Sequence, residues 1–243
     1  MRACVRAALV AMIFCAVLSL RAADDSFQRG VAAHREGRFA DAAKDLRSVI
    51  EMRPSSGALI NLGLTEWRRG RAGAAVLAWE QARWIDPFDA RSRDNLRYAR
   101  DLTGVEAPEY SWYERAAAWL PVNAWAWIAG LSLWLAISMV VLPGVFRWPK
   151  SSWHQALAAV SLGVFLASLP AHFGILTRMN LGFVLQKNLP LRLTPTTEGE
   201  WQSKLAAGEP ARELRRRGDF VYVQTSRGKG WIESAYFGRI CPE

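Results

Sequence analysis

Hydrophobic and polar positions divide the chain into three parts with different patterns. Residues 24–103 mix apolar and charged positions in a pattern that repeats, and two uncharged apolar stretches follow at 116–146 and 151–177. From about residue 189 the chain forms short runs broken by glycines, of which 220–225 alternates cleanly at period two. Period-two alternation predicts strands, and about 20 apolar residues suffice to cross a bilayer as a helix. We therefore expect a multidomain chain with an all-α part, two long apolar helices and a small all-β part.

The two apolar stretches predict a transmembrane hairpin, with helices at 121–146 and 153–177. The loop expected between them, 147–152, carries Arg147 and Lys150 and no acidic residue. Because Lys and Arg are retained on the cytoplasmic side of a membrane, we expect this loop to be cytoplasmic. Tryptophans, which favour the headgroup level of a bilayer, flank both ends of the hairpin: Trp112, Trp119, Trp125 and Trp127 at one end, Trp148 and Trp153 at the other. A hairpin returns the chain to the side it left, so both soluble parts share one compartment.

The N-terminus indicates which compartment that is. Arg2 and Arg6 precede an apolar run at 7–20 and the small residue Ala22, the layout of a secretory signal peptide at 1–22. The residues before the expected cut are not small, so the cleavage site stays open, and an uncleaved anchor would leave the same topology. We predict a protein of the bacterial inner membrane with its soluble domains in the periplasm.

The net charge of +9 does not indicate nucleic-acid binding. Residues 24–110 carry 14 basic and 14 acidic side chains. The excess is +3 in the N-terminal segment, +4 in 111–187 around the apolar stretches and +2 in 188–243. Basic residues at those places serve targeting and membrane flanking, so we expect no nucleic-acid partner. Cys241 is the only cysteine after the signal segment, which excludes a disulfide within the processed chain.

A repeat of about 33 residues organises the segment 24–103. Gly30, Gly37, Phe39, Ala42, Leu46 and Pro54 recur as Gly63, Gly70, Ala72, Ala75, Trp79 and Pro87. We expect the first glycine of each set to allow close helix approach, the second to occupy a turn with positive φ, and the proline to end the second helix. A partial third copy at 89–102 predicts a polar capping helix, and 104–120 reads as a linker or interfacial segment.

This repeat resembles the tetratricopeptide family, whose members bind peptides in a groove formed by the first helices. The resemblance places these residues near the groove: Phe27, Val31, His34, Ile60, Asn61, Leu64, Trp67 and Arg68. Asn61 matches an asparagine that contacts ligand backbone in this family. Phe27 and Val31 replace the basic clamp for a C-terminal carboxylate, which favours an apolar peptide or helix. The alternative is that Ile60 and Trp67 only pack against a neighbouring helix.

Small residues recur at every fourth position of the second apolar stretch: Ala159, Gly163, Ala167 and Ala171. Ala129, Ser132 and Ala136 offer a comparable face on the first stretch. Such faces let membrane helices approach closely. They predict either packing of the two helices on each other or a contact with another membrane protein.

The C-terminal region, 184–240, predicts five short strands that roll into a small barrel. Expected strands lie at 189–193, 212–216, 220–225 and 228–232, with 204–209 leading into a turn. The segment resembles the bacterial SH3-like domain through Gly208, Gly218, Gly230 and Trp231. In that family the tryptophan seats against the barrel, and some members hold cell-wall peptides.

No catalytic group is evident in the sequence, which shows no phosphate loop, no metal-ligand spacing and no nucleophile near a base. We therefore expect a non-enzymatic protein that needs no cofactor. The order of signal peptide, repeats, hairpin and SH3-like domain resembles the BatE-like membrane proteins of the aerotolerance operon family. That resemblance implies a scaffold in an assembly with von Willebrand A-domain membrane proteins and a MoxR-type AAA+ ATPase. The alternative function is a peptidoglycan tether or envelope sensor that acts through the SH3-like domain.

Overall fold

A computed structural model describes residues 24–147 and 152–241 of the chain. The predicted signal peptide at 1–22 and positions 148–151 of the predicted loop, with Trp148 and Lys150, lie outside the described residues.

Five helices make up residues 24–103. They are α1 (24–35), α2 (Phe39–Met52), α3 (Ser56–Arg68), α4 (Ala72–Ile85) and α5 (Ala90–Thr103). Helices α1 and α2 form one antiparallel pair, α3 and α4 form a second, and α5 packs on α4. The predicted all-α region is therefore present, with its elements in the predicted places.

Glycines determine the geometry of both helix pairs. Gly37 and Gly70 occupy the two turns with φ of 79° and 75°, a backbone region that other residues rarely adopt. A Cβ atom on Gly30 would lie 2.9 Å from Cγ of Leu46, and one on Gly63 would lie 2.6 Å from Cδ1 of Trp79. Leu46 and Trp79 therefore fill the seams between paired helices, as the repeat predicted.

The alanines and prolines of the repeat also lie where its spacing predicts them. Ala42 and Ala75 are fully buried at the helix crossings. Pro54 and Pro87 each follow the last residue of the second helix by two positions. Helix α5 ends at Gly104, whose φ of 67° is the left-handed conformation typical of a helix C-cap.

A short helix and two long apolar helices follow. Helix α6 spans Trp112–Ala117, α7 spans Val122–Val145 and α8 spans Ser152–Arg178. Helices α7 and α8 pack along each other, and both are long and apolar enough to cross a membrane. The predicted boundaries at 121–146 and 153–177 therefore agree with the structure to within one residue at each end.

Seven antiparallel strands form the C-terminal sheet. They are β1 (Leu181–Val184), β2 (Leu189–Arg192), β3 (Trp201–Leu205), β4 (Pro210–Arg217), β5 (Phe220–Thr225), β6 (Gly228–Glu233) and β7 (Phe237–Arg239). Their order in the sheet is β3-β2-β6-β5-β4-β1-β7. Val221, Val223 and Ile232 point into a core that Leu189, Leu191 and Leu205 complete.

The prediction of five strands rolled into a barrel is wrong in two respects, because seven strands form between residues 181 and 239 and they make an open sheet. Strand β1 begins at Leu181 and pairs with both β4 and β7. The segment 204–209 ends its strand at Leu205 and then turns through Gly208, whose φ is 85°. Since β3 and β7 lie at opposite edges of the strand order, the sheet is open rather than the closed barrel that the pattern favoured.

The sheet and the helices share one core, which the sequence did not indicate. Phe183 and Ile240 lie in the same apolar cluster as Leu59 and Trp79 of the helical part. The side-chain amide of Gln81 on α4 donates a 2.9 Å hydrogen bond to the carbonyl of Arg239. At Gly73, also on α4, an added Cβ would lie 2.5 Å from the carbonyl oxygen of Leu185. Helix α4 is therefore the surface on which the sheet docks.

Candidate protein-binding surfaces

One surface of the helical part is formed by α3 and α5. Trp67 on α3 contacts Tyr98 on α5 edge to face, with 6.1 Å between ring centroids. Leu64 precedes Trp67 by three positions and Leu102 follows Tyr98 by four, which puts each pair on one helix face. Leu64, Tyr98 and Leu102 are exposed. We call Leu64, Trp67, Tyr98 and Leu102 the α3–α5 face.

The sheet leaves this face uncovered, because the sheet contacts the helical part through α4. Trp67 leans on Trp79 of the helical core, with ring centroids 5.9 Å apart, so its position is constrained by packing. A fixed aromatic ring beside exposed apolar side chains is the composition of many protein-binding hot spots.

His34 and Arg68 adjoin this face at the α1 side. Nδ1 of His34 lies 2.9 Å from the hydroxyl of Thr65, and that hydroxyl donates to the carbonyl of Asn61 at 2.7 Å. Since a hydroxyl has one proton to donate, Nδ1 of His34 must carry the proton in this bond. Burial lowers the pKa of His34, and the positive charge of Arg68 lowers it further. The neutral ring therefore keeps Nε2 as an acceptor beside a cation.

The other residues predicted near the groove have different surroundings. Phe27 and Val31 on α1 are half-buried, so part of each side chain remains accessible to a partner. The amide of Asn61 donates to the carbonyl of Gly57 in its own helix at 2.8 Å. Ile60 is 2% exposed and belongs to the core, so the expectation that it lines an accessible groove is wrong. Its carbonyl accepts a hydrogen bond from the indole of Trp79.

Two buried glutamates hold adjacent helices together. Glu66 on α3 forms ion pairs with Arg47 of α2 and with Arg69. Glu80 on α4 forms ion pairs with Arg100 of α5 and with Arg83, the second at 3.5 Å. Neither glutamate was predicted as a site residue, although Glu66 and Glu80 each interrupt an otherwise apolar helix face.

A row of cross-strand neighbours runs over the outer face of the sheet. In register, Trp201 lies opposite Arg192, Arg192 opposite Trp231, Trp231 opposite Tyr222 and Tyr222 opposite Arg215. The guanidinium of Arg215 lies 5.0 Å from the ring centroids of both Tyr222 and Trp231. Trp201 is exposed at the far end of the row, with Nζ of Lys204 at 5.1 Å.

Trp231 packs on the outer face of the sheet and not in its core. Trp231 is 5% exposed, but successive side chains of a strand point to opposite faces, and its neighbour Ile232 is the one in the core. Arg215 and Tyr222 cover the Trp231 ring from outside. Gly230 brings β6 close to β2, since a Cβ there would lie 2.7 Å from Cγ of Leu191. Gly218 occupies the turn between β4 and β5 with φ of 55°.

The small-residue stripe of α8 is largely not its packing face. Ala159, Gly163 and Ala167 are exposed, and only Ala171 of the four is buried. Ala158, Ser161 and Ser168 are buried instead. On α7, Ser132 and Ala136 are buried as predicted, whereas Ala129 is half-buried. The prediction that α7 and α8 pack through this stripe is thus wrong for Ala159, Gly163 and Ala167. A contact of the stripe with another membrane protein stays a prediction.

Within residues 24–147 and 152–241, no group of three or more His, Cys, Asp or Glu side chains is arranged to hold a metal ion. No protein-family model matches the chain. A comparison with curated proteins finds no significant match either.

Proposed function

We propose that this protein is a non-enzymatic, membrane-anchored scaffold that binds partner proteins. In this proposal α7 and α8 are inserted in the bacterial inner membrane, and the helical part and the sheet project into the periplasm. The α3–α5 face binds an apolar helix or peptide of a partner. The observation that carries the proposal is the exposed Leu64, Tyr98 and Leu102 beside a packed Trp67, on the surface that the sheet leaves open.

We further propose that the helical part is a short tetratricopeptide solenoid and the sheet an SH3-like domain. The 33-residue recurrence, the two positive-φ glycine turns and the filled seams at Gly30 and Gly63 support the first assignment. The turn glycines Gly208 and Gly218 and the close approach at Gly230 support the second. Two repeats and a cap are a small solenoid, and docking on the sheet supplies burial that further repeats would otherwise provide.

The partners we propose are von Willebrand A-domain membrane proteins, in an assembly that also contains a MoxR-type AAA+ ATPase. The order of the predicted elements, shared with BatE-like proteins, supports this choice. The test is mass spectrometry of what co-purifies with the tagged full chain from gently solubilised native membranes. We expect both protein classes to be recovered with the wild type.

A matched pair of variants makes the test specific to the α3–α5 face. Tyr98 and Phe88 are 58% and 63% exposed, but only Tyr98 contacts Trp67. Tyr98→Ala should reduce recovery of the partners by about tenfold, the loss expected for a moderate hot spot. Phe88→Ala should leave recovery unchanged. Equal recovery with both variants would reject the α3–α5 face as the binding surface.

The topology has its own test. Single cysteines at positions 40 and 220, in a chain whose native cysteines are replaced, should react with a membrane-impermeant thiol reagent added from the periplasmic side. Protection of both positions until the inner membrane is opened would place the soluble parts in the cytoplasm and contradict the proposal.

The second candidate function is a peptidoglycan tether, for which exposed Trp201 beside Lys204 is the specific observation. Aromatic rings stack on sugars and peptides, and a neighbouring cation suits the carboxylates of wall peptides. The full chain in detergent should then sediment with purified sacculi. Trp201→Ala should abolish sedimentation, and Leu214→Ala, also exposed on the sheet, should not. Failure of the wild type to sediment excludes this function.

A further inference from the structure

Arg178, the last residue of α8, is held in an unusual environment. The residue is only 7% exposed, and its guanidinium carbon lies 4.9 Å from the ring centroid of Trp84 and 5.3 Å from that of Tyr110. Trp84 belongs to α4 and Tyr110 to the segment before α6. The end of the second apolar helix is thus clamped between two aromatic rings of the soluble part.

The charge of Arg178 has no counterion among the described residues. Among residues 24–147 and 152–241, no carboxylate lies within 4.0 Å of the Arg178 guanidinium. Within the same ranges, the buried Nε of Arg178 has no hydrogen-bond partner. Glu80 is close enough to Tyr110 to influence its titration, but Glu80 is engaged by Arg83 and Arg100.

Tyr110 does not supply the missing negative charge. Burial, reinforced by the charge of Glu80, raises the pKa of Tyr110 to about 12, although Arg178, Arg83 and Arg100 oppose that rise. The phenol therefore remains neutral at physiological pH. The charges of three arginines and one glutamate act on Tyr110, so the site carries an excess of positive charge.

An enclosed charge without a partner is costly, and the contacts present offset only part of that cost. Two ring faces attract the guanidinium, and the C-terminal end of α8 favours a cation. Neither the rings nor the end of α8 accepts a hydrogen bond from the Nε–H of Arg178. The Nε–H of Arg178 is therefore a buried donor that no acceptor among the described residues satisfies.

A second enclosed donor lies at the start of α7. Nε1 of Trp125 is buried without a hydrogen-bond partner among the described residues, and its ring packs against the apolar cluster that contains Trp84. The first turns of α7 and the end of α8 lie opposite the loop that connects the two helices. Each of these ends thus carries one unsatisfied donor, Trp125 Nε1 on α7 and Arg178 Nε on α8. This is the level at which a membrane presents acceptor oxygens.

We propose that Arg178 binds the phosphate of a phospholipid headgroup, an inference that rests on the proposed insertion of α7 and α8 in a membrane. A phosphate offers an oxygen acceptor for the unpartnered Nε–H, and arginine matches phosphate geometry. The lipid is favoured over a free phosphate ion because Arg178 ends a 27-residue apolar helix, at the depth where headgroups lie. The bound lipid would join the membrane to helix α4 of the soluble part.

The test is native mass spectrometry of the full chain released from detergent micelles that contain phosphatidylglycerol. The wild type should retain the phospholipid, and Arg178→Gln should lower the retained fraction by about tenfold, as expected for losing one charge-assisted contact. Arg115→Gln is the control, because Arg115 is an exposed arginine on α6, which packs on α8. Equal retention by wild type and Arg178→Gln overturns the site.

A measurement on the wild type alone covers the case in which Arg178→Gln does not fold. Micelles that contain equal phosphatidylglycerol and diacylglycerol should yield only the phosphate-bearing adduct, and retention of both lipids alike overturns the proposal. Binding of inorganic phosphate without any lipid adduct also overturns it in favour of a free ion. Release of the wild-type chain from membranes by alkaline carbonate would contradict membrane insertion itself, which separates that failure from failure at Arg178.

Discussion

Arg212 and Glu114 form an ion pair that joins the sheet to the short helix α6. Nη1 of Arg212 on β4 donates to Oε1 of Glu114 on α6 at 2.7 Å, and the same nitrogen donates to the carbonyl of Thr177 near the end of α8 at 3.0 Å. Oε2 of Glu114 also accepts from the backbone of Ser111 at 3.0 Å. One guanidinium therefore connects three elements that are far apart in sequence.

Arg212→Gln should destabilise the protein strongly, because Glu114 would be left buried without its counterion. We expect a loss of about 3 kcal/mol in the free energy of unfolding of the detergent-solubilised chain, measured by denaturant titration. Arg38→Gln is the control, since its ion pairs with Glu36 and Asp41 are mostly exposed. The control should change stability by about 0.5 kcal/mol or less. Similar losses of stability for both variants would show that the Arg212–Glu114 ion pair has no special structural role.

Two buried carboxylates, Glu114 on α6 and Glu213 on β4, predict a loss of stability in acid. Burial raises the pKa of Glu114 and of Glu213, but hydrogen bonds from Arg212 and Ser111 to Glu114, and from Arg239 and Arg216 to Glu213, outweigh it and leave both pKa values below the ordinary 4.5. Their contribution to stability is therefore fully present above about pH 4.5 and disappears as the pH falls through the lowered pKa values.

Glu213→Gln tests this pH dependence. The variant should unfold at a lower temperature than the wild type at neutral pH, and its unfolding temperature should fall less steeply in acid. Asp94→Asn, at an exposed position of α5, should keep the wild-type slope. A Glu213→Gln slope equal to that of the wild type would mean that this carboxylate does not contribute to the pH dependence.

Gly63 and Gly57 lie on the same helix and should respond oppositely to alanine. A Cβ on Gly63 would overlap the Trp79 ring, whereas a Cβ on Gly57 has no atom within 4 Å. Gly63→Ala should cost about 2 kcal/mol through overpacking, and Gly57→Ala should be neutral or stabilise α3 by up to about 1 kcal/mol. Thermal unfolding followed by circular dichroism compares them. If Gly63→Ala proves as stable as Gly57→Ala, the α3–α4 seam is looser than described.

The helical part was predictable because its repeat carries steric information. Only glycine satisfies both the positive φ of Gly37 and Gly70 and the close approach at Gly30 and Gly63, so its spacing predicts the helix pairs. The docking of the sheet on α4 was not predictable. Gly73, which permits that contact with Leu185, has no repeat partner and reads in the sequence as one more small helix residue.

Strands β1 and β7 and the packing face of α8 could not be predicted from the sequence, for different reasons. Strand β1 follows α8 after only two residues, and β7 has three residues, too few to show alternation. On α8 the buried positions Ala158, Ser161 and Ser168 follow a period near 3.5 residues, which keeps one seam facing α7. A strict four-residue spacing such as Ala159 to Gly163 drifts around the helix and leaves that seam.

Thr65 should matter through its hydroxyl. Thr65 is fully buried, accepts from His34 and donates to Asn61. Thr65→Val keeps the shape but leaves the His34 Nδ1–H without an acceptor, which should cost about 1–3 kcal/mol. Thr65→Ser keeps the hydroxyl and should lose less. The order wild type, Ser, Val in unfolding free energy is the expected result, and a Val variant more stable than Ser would refute the hydrogen-bonding role.

Photo-crosslinking from the α3–α5 face in native membranes tests the scaffold function most directly. A photoreactive amino acid would replace Leu102 on this face, and in a second chain it would replace Phe88, which is equally exposed but off the face. We predict a discrete crosslinked product from position 102 that contains a von Willebrand A-domain protein, and no such product from position 88. The same products from both positions, or none from position 102, would contradict binding of a partner at this face.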